Sequence, residues 1–135
     1  MNKIQNSKKY DLEDRTFEFA SEVRRFVRKL PKALSNLEDI RQLVKASGSV
    51  GANYIEANDS LSKKDLALRI RICRKEAKES RFWLRLVETN GQTDLEKERD
   101  ELVGESHELM NIFGAILQKV KQGHFVYASE LVLDF

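Results

Sequence analysis

The sequence predicts an all-α fold, an up-down-up-down antiparallel four-helix bundle. Three observations carry this. In four long segments apolar residues recur at alternating spacings of four and three, the period of one helix face. The connections between those segments are short, as antiparallel neighbours in a bundle require. Punctuation is sparse: one Pro and six Gly in 135 residues, which favours long helices over many short strands. The length fits one domain, and a domain of this size buries roughly two thirds of its unfolded surface, enough to fold without disulfide or metal. The expected layout is a frayed polar segment over residues 1–10, the bundle over 11–122 and an apolar tail over 123–135.

The first helix starts near Asp11. Leu12, Thr16, Phe19, Val23, Phe26 and Leu30 form its stripe, with Asp11, Glu13 and Asp14 at the positive end of the helix dipole and Arg24, Arg25, Arg28 and Lys29 at the negative end. Pro31 stops it. The second helix is expected to begin around Ser35 or Asn36, with Glu38 or Asp39 in its first turn. Its stripe, Leu37, Ile40, Val44, Ser47, Gly51 and Tyr54, becomes small toward the middle. Gly48 and Gly51 each cost roughly 1 kcal/mol in a helix interior relative to Ala. Periodicity resumes on both sides of them, which favours a continuous helix with another backbone passing close by over a break at Gly48.

Asn58-Asp59-Ser60-Leu61-Ser62 is a turn, with Ser62 as N-cap and Asp65 three residues on. The third helix is expected from Lys63 to about Glu88, with Leu66, Ile70, Cys73, Ala77, Leu84 and Val87 on one face. Leu68, Ile72, Trp83 and Leu86 gather on a second face. One neighbouring core needs one apolar stripe, so these four are candidates for contact with a second copy of the chain. Gly91 is expected as a left-handed C-cap, and Thr93 or Asp94 as cap of the fourth helix. That helix carries Leu95, Leu102, Ser106, Leu109, Phe113, Ile116 and Val120 and closes at Gln122-Gly123. The tail beyond, His124 to Phe135, either folds back on the bundle or fills a groove on a neighbour.

Composition excludes several function classes. A single cysteine, Cys73, rules out an internal disulfide and fits a reducing compartment. No apolar run approaches the roughly 18 residues of a membrane span, and Met1 to Asn6 lacks the apolar core of a signal peptide, so a cytoplasmic location is expected. Neither histidine is preceded by Glu at the third position, as a di-iron bundle requires; Gly104 and Lys121 stand there. His107 beside Glu105 or Glu108 is a poor start for a metal site, and no metal or other cofactor is expected. Cys73 reads as a packed core thiol, with no second residue to complete a nucleophilic arrangement. Gly48-Ser49-Val50-Gly51 lacks the Lys-Ser/Thr ending of a phosphate loop. The carboxylates lie in mixed charge runs typical of solvated helix faces. No catalytic residue is assigned.

Charge is unevenly placed. Residues 1–90 hold 20 Lys and Arg against 13 Asp and Glu, and residues 91–135 hold 4 against 9. Within the third helix, Lys64, Arg71, Arg74, Lys75, Lys78, Arg81 and Arg85 fill one arc of roughly 120° at about 100° per residue. Cations along a rigid rod can track phosphates; no recognition-helix motif or aromatic-rich sheet face for base readout is present. The alternative is that they pair with carboxylates of the fourth helix. A second polar feature is Asn53 with Glu56, three apart amid small residues of the second helix. If buried they need partners, and Arg69, which stands off the basic arc, is placed to supply one. A structural role in helix register or a subunit contact and a ligand-binding role both remain open for this pair.

Ser49-Val50-Gly51-Ala52-Asn53-Tyr54-Ile55-Glu56-Ala57, then Ser62-Lys63-Lys64-Asp65, then Lys75-Glu76-Ala77-Lys78-Glu79-Ser80-Arg81-Phe82-Trp83-Leu84, resemble the bacterial four-helix bundle proteins also called 23S rRNA intervening-sequence proteins. The Ser-Val-x-x-Asn-x-x-Glu core is the specific part, and its hallmark residues fall on Asn53 and Glu56. Many members have Gly where this chain has Ala57. The resemblance implies a closed bundle that assembles into a ring, typically a homopentamer. Some members are encoded within insertions in the large ribosomal RNA gene. A related accessory protein of diversity-generating retroelements is a basic pentamer that binds nucleic acid and a reverse transcriptase. The resemblance supplies no catalytic residues.

Two functions are therefore expected in order: a non-enzymatic homo-oligomer binding RNA or DNA through backbone phosphates, and a protein-interaction scaffold that docks a nucleic-acid-processing partner.

Overall fold

The computed structural model describes residues 11–123. The expected frayed segment 1–10 and the tail from His124 onward lie outside the described residues. Four helices follow in order: α1 (Leu12–Val27), α2 (Leu34–Asn58), α3 (Lys63–Leu86) and α4 (Thr93–Lys121), with no strand among the described residues. Each helix packs on its successor, and α4 closes back on α1. Their antiparallel sense is pinned by three links. Asn36 at the start of α2 meets Glu88 just past α3, Lys29 just past α1 meets Glu98 early in α4, and Arg81 late in α3 meets His107 in the first half of α4. This is the expected four-helix bundle.

Asp11 caps α1, its Oδ1 accepting from the Asp14 N–H at 2.8 Å. The stripe read from spacing is buried throughout, joined by Val27. After Val27 the Lys32 ammonium donates to the carbonyls of Val27 and Leu30, 2.7 Å each, which satisfies acceptors the helix end leaves open.

α2 begins at Leu34, and its N-cap Ala33 makes no side-chain bond. The start falls one residue before Ser35, close to the expected place, and the first turn holds no acid. Asn36 is buried. Its Nδ2 donates to the carbonyls of Pro31 and Glu88 at 2.9 and 3.0 Å, and its Oδ1 accepts from the Glu88 N–H at 2.8 Å. Two connections converge at this end of the bundle, and an amide side chain offers both donor and acceptor to their backbones. The buried face of α2 is also rotated from the expected stripe. Leu43, Ala46, Ser47, Val50, Tyr54 and Ala57 are buried, Ile40 and Val44 are half-buried, and Leu37 is exposed. A helix held between α1 and α3 must serve two neighbours, and its inner line falls between their contact lines.

The helix runs unbroken through both glycines. A Cβ on Gly51 would lie 2.9 Å from Thr16 Oγ1, and one on Gly48 would lie 3.2 Å from Arg24 Nη2. The missing side chains let α1 approach, which accounts for two residues that weaken an isolated helix.

Ser62 caps α3, its Oγ accepting from the Asp65 N–H at 3.0 Å. The expected core face is buried, with Ser80 added, its hydroxyl donating to the Glu76 carbonyl. α3 ends at Leu86, two residues earlier than expected, because Val87 swings to extended backbone (ψ 145°). That departure buries Val87 and Thr89 and presents Glu88 to Asn36. Gly91 is consequently not a helix cap. Asn90 and Gly91, with φ +57° and +69°, are the central pair of a tight turn closed by the Gln92 N–H on the Thr89 carbonyl, the combination of a type I′ turn. The N-cap of α4 is Gln92, with no side-chain bond, in place of Thr93 or Asp94. The seven expected core residues of α4 are buried, as are Leu117 and Glu105.

Candidate nucleic-acid interface

The core face of α3, anchored by Leu66, Ile70, Cys73, Ala77 and Leu84, turns the basic arc outward toward the α4 side. Lys64, Arg71, Arg74, Lys75, Lys78 and Arg85 are exposed. Arg81 is half-buried, its Nη1 3.2 Å from His107 Nδ1. Among the described residues none of the seven forms an ion pair.

Three carboxylates of α4 are turned toward α1. Glu98 takes the Lys29 ammonium on both oxygens at 2.7 and 2.6 Å. Glu105, buried, accepts two parallel bonds from Arg15 of α1, Nε to Oε2 and Nη2 to Oε1, both 2.8 Å. Glu108 adds a third at 3.1 Å. The Arg15 guanidinium is held above its ordinary pKa chiefly by the Glu105 hydrogen bonds, against the opposing effect of burial. Such two-pronged pairs are the strong, geometrically specific ones. Glu105 thus corrects the expectation that the carboxylates are all solvated. Its position was a usable signal: it lies three after Leu102 and four before Leu109, on the core stripe.

Four of the seven cations, Arg71, Arg74, Lys75 and Lys78, line a groove of about 430 Å³ between α3 and α4. Lys121 joins them from α4, and Met110 and Leu117 form an apolar floor. None of these groove-lining residues is a carboxylate. Sequence reasoning did not find Lys121, Met110 and Leu117, since they belong to a different helix. Antiparallel alignment of the last turns of α4 with the first half of α3 would have suggested them. Arg74 lies across Gly114 of α4; a Cβ there would sit 3.8 Å from its Nε and 4.0 Å from its Cζ.

The other expected sites are placed as follows. Asn53 is half-buried with both ends of its amide partnered: its Nδ2 donates to the Ser49 carbonyl at 2.8 Å and its Oδ1 accepts from Arg69 Nη1 at 3.1 Å. Glu56 is exposed and does not share that site. Three residues on a helix leave about 60° between side chains, enough to turn one outward. On the second apolar face of α3, Leu68 and Leu86 are 50% and 47% exposed, while Ile72 and Trp83 are half-buried and Trp83 packs against the core. Phe82, 55% exposed and edge-on to Trp83 at 4.9 Å, adjoins this face; its helical position, within the arc of cations beside Lys75 and Lys78, hid it.

Burial pushes the Cys73 thiol up to about 12, and Arg74 is not among the groups acting on it. Glu76 is raised, first by burial and then by Glu79 beside it. No group of three or more His, Cys, Asp or Glu side chains able to hold a metal ion occurs among the described residues. No described helix is long and apolar enough to cross a membrane.

The 23S rRNA-intervening sequence protein family matches residues 8–115. Among solved structures, a protein of unknown function from the S23 ribosomal protein family of Bacteroides thetaiotaomicron shares the fold. Its TM-score is 0.69 at 24% identity, over 78% of this chain and 97% of that one. Among curated proteins there is no match.

Proposed function

The chain belongs to the 23S rRNA-intervening sequence protein family, and from that premise we propose a non-enzymatic, homo-oligomeric bundle that binds RNA or DNA through backbone phosphates. Lys64, Arg71, Arg74, Lys75, Lys78, Arg81 and Arg85 are the binding residues. The observation that carries the reading is the row of cations on α3 without ion pairs among the described residues, while Glu105 and Glu98 of α4 are engaged by Arg15 and Lys29. Like charges held close on a rod repel each other, and an anionic polymer relieves that repulsion while releasing its own counterions. Titration with RNA at low salt, repeated as salt rises, tests this. Affinity falls steeply with salt and varies little with sequence; absence of binding at low salt overturns it.

The oligomer contact assigned to Leu68, Ile72, Trp83 and Leu86 is supported by the exposure of Leu68 and Leu86 and by the adjoining Phe82. The family resemblance suggests a homopentamer, which sedimentation of the protein measures. The same apolar face favours a second reading, a scaffold that docks a nucleic-acid-processing protein; capture of such a partner that survives nuclease treatment distinguishes it. The reading requires no cofactor, catalytic residue or membrane, and the cytoplasm suits it.

A further inference from the structure

We infer that the α3–α4 groove takes single-stranded nucleic acid in preference to duplex, with one unstacked base over Met110 and Leu117 and its flanking phosphates on Arg71, Arg74, Lys75, Lys78 and Lys121. This rests on the phosphate-binding reading above and names the strand state that the site accepts.

Three features of the groove carry it. First, its rim is wholly cationic and its floor apolar. Phosphates satisfy the rim, but a surface that bound only phosphates would leave the half-buried Met110 in water beside Leu117, which is already buried. A base face is apolar and polarisable, and the thioether of a methionine makes favourable contacts with aromatic rings. Second, the size fits. At about 430 Å³ the groove lies in the lower part of the roughly 300–1,000 Å³ range of small-ligand sites. It admits a unit of nucleotide size between two packed helices, whereas a duplex keeps its bases stacked inside and touches only the rim. Third, Arg74 Nε and Cζ lie 3.8 and 4.0 Å from a Cβ built at Gly114, which puts the guanidinium beside α4 at the groove. A planar guanidinium is a group on which a base can stack. The span from Arg71 to Lys78, about 10 Å along the helix, matches a short segment of strand. Nothing in the groove reads base edges, so the preference is for strand state and not for sequence.

The experiment is fluorescence anisotropy of the full chain with three labelled oligonucleotides of equal length at one fixed, low salt concentration: a single strand, its blunt duplex, and an abasic strand with the same phosphates and no bases. One stacked base supports a preference of roughly ten-fold. The single strand binds about ten-fold tighter than the duplex, and the abasic strand loses most of that margin. Met110→Gln, which keeps charge and approximate volume at a half-buried position, removes the margin and leaves duplex affinity and salt dependence unchanged. Equal affinity for single strand and duplex, or for intact and abasic strands, overturns the inference while phosphate binding stands. Binding of none of the three overturns both.

Discussion

α4 shares two seams with its neighbours, and they are built oppositely. Along α1 it is matched in charge: Lys29 on Glu98, Arg15 on buried Glu105 with Glu108 beside it. Along α3 the surface groove is lined by cations and two apolar residues, with no carboxylate among them. Three carboxylates of α4, Glu98, Glu105 and Glu108, therefore serve Lys29 and Arg15 and not the cations of the third helix. A charge balance taken over long segments does not predict such a division, because ion pairs form between particular faces. The first seam closes the bundle, and the second has the character of a surface kept for a partner.

Breaking the closed seam gives the largest effect. Glu105→Ala leaves the Arg15 guanidinium, mostly buried, without its main partner and lowers stability by about 3–5 kcal/mol in denaturant titration. Arg15→Met combined with Glu105→Leu recovers most of that, since a packed apolar pair of similar volume replaces a desolvated one. A loss below about 1 kcal/mol for the single variant would show that the seam does not depend on the pair.

The inner face of α3 responds next, through alkali. Cys73 has its thiol pushed up from 9.0 to about 12 by burial, and the Tyr54 phenol is raised for the same reason. The folded state therefore keeps protons that the unfolded chain releases. Stability is intact below pH 9 and falls as pH rises toward 12, by up to about 1.4 kcal/mol per pH unit for each group. Cys73→Ala reduces that slope by its share, measurable in melts across the window.

The α1–α2 contact can be compared with an open stretch of α4. Gly51→Ala forces a Cβ to 2.9 Å from Thr16 Oγ1 and lowers stability by about 1 kcal/mol, overpacking outweighing the gain in helix propensity. Gly104→Ala, with nothing within 4 Å of its Cβ, raises stability by a similar amount. Opposite signs in the two thermal shifts confirm that only the first glycine marks a close approach of helices.

The open seam gives the smallest stability change. Arg71→Ala, Lys75→Ala and Lys78→Ala together alter stability by no more than about 0.5 kcal/mol, upward if repulsion is relieved. The logarithmic salt slope of RNA binding nonetheless falls by roughly one per contact removed. A marked loss of stability would show that these cations belong to the fold and not to a partner.

Much of the fold was legible in the residues. Ser62 caps the helix it was expected to cap, and the first helix starts at Asp11 as expected, because N-caps are local and use a side chain within three residues of the N–H it receives. The core faces of α1, α3 and α4 follow the four-three spacing for the same reason. α2 departs from it because two neighbours, not one, set which side is inward. Asn36 stands near the expected start of α2, but its role as a bridge was not legible, since the backbone it serves, at Glu88, is 52 residues away. The basic arc was legible on α3 alone; Lys121, Met110 and Leu117 needed a second helix beside it.

The sequence by itself determined that four amphipathic helices form, where most of their faces lie, and that one of them carries a continuous row of cations, because periodicity and charge spacing are properties of a single helix. The tertiary structure decided which charges meet. The rotation of each helix about its axis turns Glu105 onto Arg15 rather than onto α3, and that choice rests on packing between residues 90 positions apart, where no local pattern reaches.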